Sequence, residues 1–151
     1  MIEKRHSINT IVACVDSPEA HVEKLIQQSV LFSGLLGARL VLLHVSSPNP
    51  DFVGYEAGPQ SVRDSTARTL RNEHHALQSL AEAVRQQGIE CLALSVPGDT
   101  AEQILLEVEK LRADMLIAAF HRHGLLYRLI YGDLMHVLMK ALTCPVLLIP
   151  D

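Results

Sequence analysis

Apolar residues fall in short continuous runs separated by longer stretches of helical periodicity. Ile8–Val15 (INTIVACV), Arg39–Val45 (RLVLLHV), Ile89–Val96 (IECLALSV), Asp114–Ala119 (DMLIAA) and Pro145–Pro150 (PVLLIP) are runs of this kind. Each is rich in Val, Ile and Leu and too short for a helix. They predict strands buried on both faces. Between them lie amphipathic stripes: Val22, Leu25, Ile26, Ser29, Val30 and Ser33; then Ala67, Leu70, His74, Leu77, Ala81 and Val84. Two more follow: Ala101, Ile104, Leu105, Val108 and Leu111; then Leu134, Val137, Leu138 and Ala141. Asp16-Ser17-Pro18-Glu19 has the composition of a helix start, with a capping side chain, an early proline and an acid. Gly34 and Gly37 are placed to end that helix and Gly88 the next, and Asp99 or Thr100 can cap the third. The order β-α-β-α-β-α-β-α-β predicts an α/β fold, Rossmann-like, with a doubly wound five-stranded parallel sheet and helices on both faces.

Ser46–Val62 and Phe120–Tyr131 are the two long irregular segments. The first holds 17 residues, against a usual loop of roughly 4–6. The 151 residues are expected to form one domain. A 48% apolar, 20% charged composition gives that domain enough core to fold without a disulfide or metal staple. Cys14, Cys91 and Cys144 are too far apart for a zinc or redox pair and read as reduced thiols. With a net charge of −4, no Trp and 4% aromatics, the chain lacks the basic face and stacking platforms of a nucleic-acid binder. No signal peptide or membrane-length apolar run is visible, so the expectation is a soluble cytoplasmic protein with no membrane partner.

Charge is unevenly spread. Residues 120–140 carry Arg122, Arg128 and Lys140 against Asp133, a net of +2 within a chain of net −4. His121 and His123 stand in the same loop. In open parallel sheets ligands bind beyond the carboxyl ends of the strands, where the strand order reverses. With order 3-2-1-4-5, that point lies between Asp16, after the first strand, and the Phe120–Asp133 loop, after the fourth. A basic loop leading into a helix N-terminus suits an anion. His121-x-His123 offers two possible metal ligands, but spacing supplies no third, so no metal site is expected. Neither a Ser/His/Asp nor a Cys/His arrangement has a local signature, and no catalytic residue is assigned.

Ala113–Asp133, ADMLIAAFHRHGLLYRLIYGD, resembles the signature region of the universal stress proteins. Val15-Asp16, Leu42–Val45 (LLHV), Val96–Ile104 (VPGDTAEQI) and Thr143–Pro150 (TCPVLLIP) are similar to that family as well. The resemblance implies the 3-2-1-4-5 sheet, a homodimer built on the last strand (Pro145, Val146, Leu147, Leu148 and Ile149), and a role in stress response. ATP-binding members carry Gly-x2-Gly-x9-Gly-(Ser/Thr) after the fourth strand. Those positions fall here on Ala119, Arg122, Gly132 and Asp133. The spacing is kept, but only one glycine is. Arg122 adds bulk where phosphate meets bare backbone, and Asp133 puts a carboxylate where a hydroxyl would donate. On the adenine side, Asp16 and the Val45 backbone match the positions that hold ribose and base; Asp16 reads equally well as a helix cap, and His44, which ends the second strand beside the pocket, reads as packing. The expectation is a dimeric regulatory protein, not an enzyme, with a degenerate, weak pocket for ATP or AMP. The alternative is a true ATP or AMP switch in which Arg122 and His121 replace the glycine amides. A receiver domain would need an Asp after the third strand and a Lys near the fifth. Ser95-Val96-Pro97 and Pro150-Asp151 supply neither.

Overall fold

The computed structural model describes residues 7–19, 21–46, 60–120 and 134–150. Strands β1 (Thr10–Cys14), β2 (Arg39–Ser46), β3 (Cys91–Pro97), β4 (Met115–Phe120) and β5 (Val146–Pro150) form one parallel sheet in the order β3-β2-β1-β4-β5. Helices α1 (Glu23–Leu36), α2 (Gln60–Arg85), α3 (Thr100–Lys110) and α4 (residues 134–141) alternate with them. The fold read from the sequence is the fold observed.

The alternation of side chains along each strand sorts the core into two halves. Ile11, Ala13 and Val15 face one way with Leu40 and Leu42, and pack against Val22 and Leu25 near α1 and Leu77, Ala81 and Val84 of α2. Val12 and Cys14 face the other way with Val41 and Leu43, against Ile104 and Val108 of α3 and Leu138 of α4. β1 is therefore sealed on both faces and both edges, which is why INTIVACV carries no polar alternation.

Four local expectations are corrected. α1 begins at Glu23, not at Asp16–Glu19; Val22 stands at its N-cap with no side-chain cap bond. His21 adopts φ 57°, a left-handed conformation that keeps the preceding turn out of the helix, while Pro18 is buried as an anchor for that turn. At its other end α1 runs through Gly34 and stops at Gly37, whose φ of 66° suits glycine. On α2 the inward line runs Val84, Ala81, Leu77, Glu73; His74 and Leu70 are exposed. From Leu77 the step of four, not three, faces the sheet, because Glu73 meets the polar end of β2. On α4, Leu134 and Leu138 point inward while Val137 and Ala141 are exposed. The first long irregular segment ends at Gln60, not Val62, because α2 starts there; residues 47–59 lie outside the described residues.

α3 is started by Asp99, whose carboxylate accepts the Glu102 N–H at 3.0 Å. Asp99→Ala should lower stability by about 0.5–2 kcal/mol, and Asp99→Ser much less, since a hydroxyl can serve the same amide. Urea unfolding of the three proteins checks this.

Candidate functional site

The carboxyl ends of β1, β2 and β4 converge where the strand order reverses. β1 stops pairing with β2 at Cys14–Leu43 and with β4 at Cys14–Ala118. One residue later Val15 still donates its N–H to the Leu43 carbonyl at 2.8 Å, and then Asp16 leaves the sheet, exposed.

Backbone groups along β2 alternate sides. Arg39 and Leu43 bond toward β1 (Arg39 N–H to Asn9, Val15 N–H to Leu43), whereas Leu40 and Ser46 bond toward β3 (Leu40 N–H to Glu90, Gly98 N–H to Ser46). By this alternation Val45 turns its N–H and C=O toward the β1 side, beyond the point where β1 has ended. Among the described residues neither group has a ladder partner. The result is a donor and an acceptor side by side on a rigid strand, at a half-buried position.

The Val15 carbonyl would have accepted the Val45 N–H had the ladder continued. It accepts instead from the His44 ring, whose Nδ1 lies 2.8 Å away. His44 is buried, and its Nε2 faces the Glu73 carboxylate at 3.4 Å. The sequence reading gave His44 a packing role beside the pocket. It missed Glu73, whose signal was the four-residue spacing Glu73–Leu77–Ala81 on α2.

Ala119 lies half-buried in β4, in register with Ile149 of β5. Asp16, Val45 and Ala119 thus gather at the reversal point. His121, Arg122, Gly132 and Asp133 lie outside the described residues, as does His123. The last-strand residues hold the far edge of the sheet: Ile149 is buried, Val146 and Leu147 are half-buried, Leu148 is 39% exposed, and Pro145 precedes β5. No group of three His, Cys, Asp or Glu among the described residues is arranged to hold a metal. No helix of the described residues is long and apolar enough to cross a membrane.

A family model of the universal stress protein family matches residues 7–150. The chain belongs to the universal stress protein family. Its fold is similar to that of a universal stress protein from Lactobacillus plantarum, with a TM-score of 0.69 and 14% identity over 96% of this chain and 99% of that one. It is similar also to one from Archaeoglobus fulgidus in complex with dAMP, with a TM-score of 0.62 and 12% identity over 95% of this chain and 98% of that one. A third is a family protein from Arabidopsis thaliana with AMP bound: TM-score 0.61, 19% identity, 95% of this chain and 92% of that one. At such identities the likeness is one of fold. No curated protein matches the chain in sequence.

In this universal stress protein Cys14 is the last residue of β1 and lies on the α3 side of the sheet. Burial, reinforced by the charges of Asp16 and Cys144, pushes its thiol from 9.0 up to about 12. The fold thus holds the proton more tightly than the unfolded chain does. The stability this contributes is intact below about 9 and is lost as the pH climbs from 9 toward 12. Native protein at pH 8 should leave Cys14 unmodified by iodoacetamide over hours, while urea-unfolded protein is modified fully. Peptide mass mapping distinguishes the two.

Proposed function

We propose that the crevice beyond β1, β2 and β4 takes an adenine nucleotide, and that the protein acts as a regulatory binding protein in stress response rather than as an enzyme. The observation that carries this reading is the backbone N–H and C=O of Val45, which have no ladder partner among the described residues, at the sheet end where Asp16 leaves β1. A neighbouring donor and acceptor on one strand match the edge of a purine, which offers an acceptor nitrogen beside an amino donor. A carboxylate one strand away can accept from ribose hydroxyls, as acidic residues do at other switch-point sites. That two proteins of this fold were solved with AMP and dAMP, and another with cAMP, supports the adenine assignment.

The phosphate side of this pocket is altered. Asp133 stands where a hydroxyl would donate to phosphate, and Arg122 where a glycine would bare its backbone. A like charge about 4 Å away costs about 1 kcal/mol in water and about 4 kcal/mol at an effective dielectric of about 20. Loss of a hydrogen bond to a charged group adds roughly 1.5–3 kcal/mol. Each 1.4 kcal/mol is about tenfold in affinity, so ATP binding falls by two orders of magnitude or more. Calorimetry should find ATP weak on the wild type and tightened at least tenfold by Asp133→Ser. Low-micromolar ATP binding by the wild type would favour the alternative, a true switch in which Arg122 and His121 hold the phosphates.

The same reading includes a homodimer through β5. This strand is an edge with one face of Leu148 exposed, and Met139 of α4 is 69% exposed. An apolar edge is stable in water only when it is paired or covered. Light scattering at micromolar concentration should give twice the chain mass, and Leu148→Arg should reduce it to the mass of one chain.

A further inference from the structure

We propose that His44 is a positioning residue for this pocket: with a proton on Nε2 it latches α2, through Glu73, to the Val15 carbonyl at the pocket's edge, and without that proton the latch opens. The proposal rests on reading Val15–Asp16 and Val45 as the pocket's nucleoside side. It is carried by the geometry of one buried ring between two oxygens.

A backbone carbonyl can only accept, so the 2.8 Å contact to Val15 fixes a proton on Nδ1. An ionised carboxylate also only accepts. The Nε2 atom facing Glu73 at 3.4 Å therefore attracts it with a proton and repels it, lone pair against lone pair, without one. Imidazole is the side chain whose ordinary charge change falls between about pH 5 and 8, and pH values on either side of that range are the ones to compare. Among the described residues no other charged group competes for the ring from the elements around it. Ser95 is its register partner in β3. The inward residues around α1 are Val22, Leu25, Ser29 and Ser33. On α2 the inward charged residue is Glu73, with 27% of its side chain exposed. In β1 the nearest charge in sequence is Asp16, one residue past the carbonyl that His44 holds.

The mechanical consequence follows from the ladder. Because Val15 bonds a side chain rather than Val45, the position of that side chain sets how the chain leaves β1 and how open the Val45 groups stay. Pulling Glu73 toward the ring draws α2 against the ends of β1 and β2. Releasing it loosens the edge on which a nucleoside would lie.

The test is a double-mutant cycle by urea unfolding on wild type, His44→Leu, Glu73→Gln and the double variant, at pH 5.5 and 8.0. At pH 5.5 the coupling should favour the folded state by roughly three- to tenfold in the unfolding constant; at pH 8.0 it should vanish or reverse. Equal coupling at both pH values overturns the latch. If His44→Leu does not fold, the pH dependence of stability in wild type against Glu73→Gln decides alone: the latch predicts a loss toward pH 8.0 that Glu73→Gln lacks, and parallel profiles overturn it. Adenosine, which does not titrate in this range, probes the pocket. Its affinity for wild type should fall at least threefold from pH 5.5 to 8.0 and stay level for Glu73→Gln. Absence of adenosine binding at both pH values refutes the nucleotide reading, while the unfolding cycle still decides the latch.

Discussion

β1 ends one residue too early to satisfy its neighbour, and the site depends on that. A parallel ladder bonds alternate residues to each side, so a strand that outlasts its neighbour is left with a residue whose amide and carbonyl have nowhere to go. In β2, among the described residues, that residue is Val45. Everything around it follows from the short β1: Asp16 leaves the sheet, and the Val15 carbonyl must find a side chain. The reversal of strand order places β4 on the other flank. The sheet that stops β1 there is held by two apolar layers meeting the strand from opposite faces, so its end point is fixed by the core and not by the loop.

The fold was legible because burial on both faces leaves an unmistakable trace in the sequence. Runs such as TIVAC and LVLL have no polar alternation, and nothing but a central parallel strand explains them in a chain of this length. Helix ends were less legible. Asp16-Ser17-Pro18-Glu19 offered the side chains of a start signal, but the left-handed turn at His21 and the burial of Pro18 are tertiary facts that no local pattern carries. The stripe on α2 failed for a similar reason. Three- and four-residue spacings are equally helical, and only the polar ring at the end of β2 selects Glu73 over His74.

Of the candidate site, the side legible and visible is the one built on strands. Asp16 was marked by the end of the first strand, whereas Val45 and Ala119 were marked by the family resemblance and then fell at strand ends. The His44–Glu73 contact spans 29 residues of sequence and joins a strand to a helix across an intervening long segment. Neither residue alone marks the pair: a histidine closing an apolar strand reads as packing, and a glutamate in a charged helix reads as solvated surface.

Each edge of the sheet is finished by a basic side chain reaching a backbone carbonyl of its outer strand. By the alternation that sends Glu90 toward β2, the next carbonyl in β3, that of Cys91, faces outward, and the Arg85 side chain covers it with a hydrogen bond of 2.9 Å. A guanidinium set along a strand's outer rim hinders a second strand from aligning there. β5, at the opposite rim, carries apolar side chains, and its Pro150 carbonyl accepts from the Lys24 ammonium of α1. Cations of α2 and α1 thus stand at the two rims, so neither edge strand presents all of its outer carbonyls to a further strand.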